Sequence, residues 1–491
     1  MQLKKVKWLA TLAAVLATAL VPVGCRRTPP LATSPTRVHQ DVVLRVACPD
    51  DLPARIVELY GKAWGRREGA TVEVERYPPG GSPPAEADVW VIAPAELGRW
   101  ADAGKLRPVP DSYLAENAPY GWKTSLLPIY RDRLLRWDGK PYAMPLLGEA
   151  PLCFYRTDHF RSLEQEQKRK FGPPATWEEF AEAAELLSQM SGGKPVLPPL
   201  PNSDEELDRL FYTVAVCYAR QAIFADDPQQ PPDNETFSFH YDLETGQARI
   251  NTPGFVHALK VLQRLQKVRE PGTSPAPPEA FARGRASLCL ADASWIERFQ
   301  QGEARDRFAV CRVPGAAHYF SYTTGEPRPS PAGNRVPYLG AAGWLMVVPA
   351  KSAHAEAAFA LLADLSGREG SRQIVFNPAW GGGAFRHDHL SAAAWNVFGL
   401  QGAPTRDLVQ VVSQTLLHPG LRNPLTRLRT PDEREHLRAL VAEVRPALLE
   451  GRDAAEAMAA VARRWQALDE SKDLKQRRAE YFLNVGLEPE R

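Results

Sequence analysis

The chain has 491 residues, 44% of them apolar and 24% charged, which is enough length and apolar surface for more than one compact body. Its 60 basic and 58 acidic residues give a formal charge of +2, which excludes the strongly basic balance expected of a nucleic-acid binder. Forty-five prolines argue for many extended connections and chain reversals.

Residues 1–25 have the layout of a secretory signal: Lys4, Lys5 and Lys7, an apolar run from Trp8 to Val21, then Gly24-Cys25. That run is about 14 residues, short of the roughly 20 that cross a bilayer as a helix. Without the three lysines the balance is 57 basic to 58 acidic groups. Residues 26–40, rich in Pro, Thr and Arg, suit a flexible tether. Val42 to Cys48 reads as a buried strand ending at Pro49-Asp50-Asp51, and Leu52, Ile56, Leu59, Tyr60 and Trp64 follow at helical spacing. Asp51 is a candidate N-cap for that helix. Two more strands are predicted around Thr71–Tyr77 and Asp88–Ile92, the second leading into a short helix with Leu97 and Trp100. This order implies an open α/β sheet, in which ligands sit beyond the carboxyl ends of the strands. Asp50 and Asp51 stand at such an end.

Trp137-Asp138-Gly139-Lys140 predicts a tight hairpin, because Gly accepts the positive φ of a primed turn. Thr176 with Glu179 predicts a capping box at the start of a helix. The chain then reads as mainly helical to about Phe224, with Asp226–Asn234 a surface loop. Phe237–Tyr241 and Gln247–Ile250 predict a second hairpin. Thr252-Pro253 opens a helix with Phe255, Leu259, Leu262 and Leu265 as its buried stripe. Phe281 to Leu290 reads as helix, glycine stop and buried strand, with Asp292-Ala293-Ser294-Trp295 directly after. Tyr338–Pro349 is a glycine-broken strand, and Trp380-Gly381-Gly382-Gly383 is the most flexible point. Asp432 and Asp453 are N-cap candidates for two C-terminal helices, and the charged residues 471–491 are expected to fray. Cys48, Cys153, Cys217, Cys289 and Cys311 form no C-x-x-C pair and mostly sit in apolar runs, so buried free thiols are expected.

Taken in order, the Asp-Gly-Lys turn, the runs Ala143–Leu146 and Leu152–Asp158, the capped helix at Ala175–Phe180, and the segments Ala87–Leu106, Tyr241–Leu259, Phe281–Trp295, Gly340–Pro349 and Gly451–Leu468 resemble the bacterial extracellular solute-binding proteins of the sugar type, which serve ABC importers. The resemblance spans about residues 42–468. It implies an α/β, two-lobe periplasmic-binding-protein-like fold of type II, with hinge strands between the lobes. Lobe one would hold 41–149 and 340–383, and lobe two 150–339 and 384–470. Val23-Gly24-Cys25 is similar to a lipobox, with Cys25 as the lipidated residue, although Pro22 stands where that motif usually has Leu. The implied partners are a small-molecule solute, taken to be a sugar, the membrane subunits of an ABC permease, and the membrane itself through the lipid; the protein would be a monomer on the periplasmic side.

A sugar cleft needs rigid aromatic rings flanked by polar groups at loop ends. Candidate ligand-binding residues are therefore Asp50, Asp51, Glu149 at the first crossing, Asp292, Trp295, Trp344, Trp380 and Arg386. Each has a structural alternative: Trp295 under a helix, Trp344 and Trp380 in a core, Glu149 as a solvated hinge residue. Trp90 reads as core, and Trp64, Trp177 and Trp465 lie on helical apolar stripes. His387-Asp388-His389 lacks a third ligand and reads as a loop, so neither a metal nor another cofactor is expected. Three other readings stay open: the same fold with a polyamine, ion or peptide as solute, a lipid-anchored glycoside hydrolase, and a scaffold lipoprotein without a ligand.

Overall fold

The structure, a computed structural model, describes residues 38–223, 234–400, 403–417 and 425–487. The expected signal with Cys25, the expected tether as far as residue 37 and the expected surface loop at 226–233 lie outside them. In chain order the elements that matter for the site begin with β1 (Val43–Cys48), α1 (Asp51–Ile56), β2 (Thr71–Arg76), β3 (Val89–Ile92) and β4 (Ala143–Leu147). Next come β5 (Pro151–Arg156), α2 (Trp177–Met190), α3 (Asp204–Ala219), α4 (Pro253–Gln266), β6 (Leu288–Asp292), β7 (Phe308–Cys311) and β8 (Ala316–Phe320). After them follow β9 (Trp344–Val347), α5 (Glu433–Leu449), α6 (Ala454–Asp469) and α7 (Leu474–Asn484).

The first sheet has the order β2-β1-β3-β9-β4. β1 runs parallel to β2 and β3, with Val46 opposite Val74 and Val89, while β9 is antiparallel to both β3 and β4. β3 is paired on both edges and buried along its whole length, which is why its sequence is a continuous apolar run without alternation. A second sheet, β6-β5-β7, is antiparallel throughout. The chain thus leaves the first sheet at Leu147 and enters the second at Pro151, four residues later, and it rejoins the first at Trp344.

These passages meet at glycines. The Gly148 N–H donates to Gly383 O at 3.0 Å, and a Cβ added to Gly383 would lie 2.1 Å from Gly148 O. A Cβ on Gly343, where φ is +85°, would meet Leu147 O at 2.6 Å. Backbone approaches backbone here with no space for a side chain.

The cores divide differently from the sheets. One cluster runs from Val46, Val91 and Met346 to Phe154, Phe281 and Phe299, so it takes in one face of the second sheet. The other gathers the helices around Phe211, Phe255, Leu259, Val444 and Trp465. The five cysteines among the described residues are buried and free.

Several local expectations need correction. Phe237–Tyr241 and Gln247–Ile250 form no strand pair; a helix covers Asn234–Phe237 and a single bridge joins Tyr241 to Ala248. Asp50, not Asp51, caps α1, accepting from the Leu52 N–H at 2.8 Å. Asp432 precedes α5 without capping it, because its carboxylate takes the Lys472 ammonium at 3.0 Å. The expected frayed tail instead contains α7, whose Tyr481 is 3% exposed. The Tyr481 hydroxyl accepts from the N–H groups of Phe239 and His240, so this helix closes the backbone accounts of a loop 240 residues upstream in the core.

Candidate functional site

From Leu207 onward α3 is apolar nearly all round, so it is buried and its charges must find partners inside the protein. Arg209 finds Asp292 at the end of β6: Nη1 donates to Oδ2 at 2.6 Å and Nη2 to Oδ1 at 2.8 Å, a bidentate fork. Asp292 also accepts the Ala150 N–H at 3.1 Å, on the first crossing. Arg209 Nη2 stands 3.6 Å from Glu149 Oε2, while the other Glu149 oxygen accepts the Gly340 N–H. The Glu149 N–H donates to the Tyr130 hydroxyl at 3.1 Å. One arginine thus links a helix, a strand end and two crossings.

Burial shapes the charges. Glu149 is 2% exposed, and loss of water raises its carboxyl to about 7 against the pull of Arg209. Burial also works to raise Asp292, but the Arg209 charge and hydrogen bonds, with the Ala150 N–H, hold it below the ordinary carboxylate range. Arg209 itself is pressed toward neutrality by burial, and Asp292, then Glu149 and Glu206, raise its pKa instead. Arg209 and Asp292 therefore form a permanent ion pair.

The pair borders a cavity of about 160 Å³, lined among others by Pro151, Trp177, Glu206, Arg209, Asp292 and Trp295. Cavities of roughly 150 Å³ accept one small ring molecule. Both partners keep part of their surface open, 13% for Arg209 and 22% for Asp292, so the pair lies in a concavity and not in the core. The half-buried Trp295 ring stacks on Phe299 with centroids 6.0 Å apart and planes at 26°. Rings and charged groups thus line the same cavity, the composition of a site for a polar ring.

The structure brings Glu149, Asp292 and Trp295 together and distributes the other candidates elsewhere. The Trp380 ring is buried, with the Arg55 guanidinium of α1 5.6 Å from its centroid. Its neighbour Gly382 abuts Ala293 and Ser294, the residues before Trp295. Trp344 is half-buried in β9, opposite Leu147. Asp50 is occupied as an N-cap, and the exposed Asp51 pairs with Arg76 at 2.9 Å. Arg386 is 2% exposed and donates to the carbonyls of Ser366 and Tyr120 at 3.1 and 2.8 Å, a clamp between chain segments and not a ligand donor. Of the loop histidines, His389 is buried beside Ser371 and lowered to about 3 by burial, a neutral structural group.

Arg209, Glu206 and Trp177 were not among the sequence candidates. Glu206 three residues before Arg209 looks like a surface pair on one helix. The usable signal was the apolar circumference of α3, which leaves Asp208 and Arg209 no outward face.

A family model described as bacterial extracellular solute-binding protein matches residues 73–396, about two-thirds of the chain. No curated protein matches. Among solved structures, an ABC transporter solute-binding protein from Agrobacterium radiobacter K84 in complex with ribitol aligns with a TM-score of 0.64 at 16% identity, covering 88% of this chain and 99% of that one. Maltose-bound MalE3 of T. maritima aligns at 0.62 and 18% identity, over 87% and 100% of the two chains. A solute-binding protein from Agrobacterium vitis S4 with bound D-mannitol gives 0.60 and 16%, over 87% and 99%. At these identities the likeness is one of fold, that of two-lobe binding proteins.

Proposed function

Because this chain belongs to the bacterial extracellular solute-binding proteins, we propose that it captures a sugar, sugar oligomer or polyol and hands it to an ABC permease. The observation that carries this reading is the lining of the cavity, to which both Trp295 and the Arg209–Asp292 fork contribute. A ring presents a flat apolar face for the C–H side of a sugar, and a guanidinium and carboxylate present paired donors and acceptors for its hydroxyls. In this reading lobe one comprises 41–149 with 340–383 and lobe two 150–339 with 384–470, and the glycine crossings between them are the hinge. Every residue that lines the cavity falls within 150–339, so in this reading lobe two supplies the first contacts and lobe one closes over the bound solute, which shifts an open–closed equilibrium. Cys25 carries the lipid that holds a monomeric receptor to the membrane.

The hydrolase reading rests on Glu206, which lines the cavity with Asp292 and whose carboxyl burial raises, and turnover of a chromogenic glycoside tests it; Glu149 does not serve. Glycoside hydrolysis needs an accessible protonated acid beside an ionised partner. Glu149 has a raised carboxyl beside ionised Asp292, but it is 2% exposed, held by Gly340, and does not border the cavity.

Titration calorimetry against mono-, di- and oligosaccharides and polyols tests the proposal. Saturable binding to one of them, weakened at least tenfold in Trp295→Ala, is the expected result; unchanged affinity in that variant removes the ring from the site.

A further inference from the structure

Outside the cavity, four side chains from four elements meet: Glu178 in α2, Tyr218 in α3, His257 in α4 and His318 in β8. None of them borders the cavity described above. One oxygen of Glu178 and one nitrogen of each histidine lie within 4.8 Å of one another. We propose that Glu178, His257 and His318 form a site for a divalent transition-metal ion of the zinc type, with solvent as the fourth ligand.

Two imidazoles and a carboxylate are a donor set that suits Zn²⁺, and three protein ligands plus water make up its tetrahedron. With metal–ligand bonds of about 2.0–2.1 Å, the edges of that tetrahedron are about 3.3 Å. His318 Nδ1 stands 3.4 Å from Glu178 Oε1, the length of such an edge and beyond the usual hydrogen-bond range. The two imidazole rings face each other edge to face, with centroids 4.9 Å apart, so a rotation of His257 completes the set.

The surroundings orient the ligands. The Tyr218 hydroxyl donates to Glu178 Oε1 at 2.9 Å, and the Ala317 N–H donates to Oε2 at 3.1 Å, the outer hydrogen bonds that fix a ligating carboxylate. Tyr218, His318 and Phe320 surround the His257 ring, and among the described residues its nitrogens take no hydrogen bond. The three side chains are part-exposed, so an ion and its water can reach them.

A second cluster, Asp432, His436 and Asp469, makes a contrast. There the Lys472 ammonium already sits 3.0 Å from Asp432, and both His436 nitrogens are taken, Nδ1 by the Asp432 backbone carbonyl at 2.9 Å and Nε2 by the Tyr241 hydroxyl at 2.6 Å.

The test uses the full mature chain without a polyhistidine tag, stripped with chelator and titrated with Zn²⁺ alone, then with Co²⁺. Expected are one equivalent bound, a melting temperature raised by several degrees, and the visible absorption of tetrahedral Co²⁺. His257→Ala and His318→Ala should each weaken the affinity at least tenfold, whereas His159→Ala, outside the cluster, should leave it unchanged. Melting of each variant in the absence of metal confirms folding, and Glu178→Gln supplies a variant of the same shape if an alanine variant fails to fold. Absence of saturable binding, or equal affinity in the wild type and in Glu178→Gln and His257→Ala, overturns the proposal.

Discussion

Glu149 shows how one residue can be recognised by position and still be misjudged in character. Its place beside the first crossing was legible, but a solvated hinge carboxylate or a sugar acceptor was the expectation. Instead it is buried, linking Gly340 to Arg209. Its carboxyl titrates near 4.5 when unfolded and at about 7 when folded, so between those values the folded protein holds the extra proton. Stability associated with this group is therefore fully present below about pH 4.5 and is lost as pH rises through about 7. At roughly 1.4 kcal/mol per pH unit, the loss reaches about 3 kcal/mol at most. Glu149→Gln removes the titration, so its stability relative to the wild type should rise between pH 5 and 8. Parallel pH profiles in urea unfolding would refute this account.

At the level of elements, the local rules held where one turn was enough to satisfy them. Asp138 and Gly139 take φ of +48° and +66°, the primed turn that the Asp-Gly pair predicts, and the Glu179 N–H donates to Thr176 Oγ1 at 3.2 Å. They failed where the partner is distant. The segment from Phe237 to Ile250 has strand-like residues, yet it pairs only across the Tyr241–Ala248 bridge, and the N–H groups of Phe239 and His240 are met by Tyr481 from the end of the chain. The glycine crossings give an element-scale prediction through two contrasting substitutions. Gly383→Ala forces a Cβ against Gly148 backbone and should lower stability by about 1–3 kcal/mol or more. Gly139→Ala meets nothing within 4 Å and bears only left-handed strain, about 1 kcal/mol. Chemical unfolding of the two variants measures the difference, and equal losses would mean that the crossings tolerate a side chain.

For the whole molecule, the question is whether the crossings act as a hinge. Three passages approach backbone to backbone at Gly148, Gly343 and Gly383, and Glu149 ties the first of them to Gly340, so a rotation there has to carry that bond with it. Addition of the bound sugar should reduce the radius of gyration measured by small-angle X-ray scattering, and Trp295→Ala should need more sugar for the same change. An unchanged radius at saturation would place binding within one rigid body. Among the described residues no helix is long and apolar enough to cross a membrane.

The sequence by itself determined what depends on neighbours along the chain: the apolar run of β3, the Asp-Gly turn, the Thr176 cap, and the order of segments that carries the family. These follow from periodicity and backbone sterics within a few residues. Tertiary structure alone decided which charges meet. Arg209 and Asp292 are 83 residues apart and Glu149 and Gly340 are 191, and nothing local in either member of a pair identifies the other. A buried charge takes whatever partner the fold delivers, so its role is fixed by the three-dimensional path of the chain and not by its flanking residues.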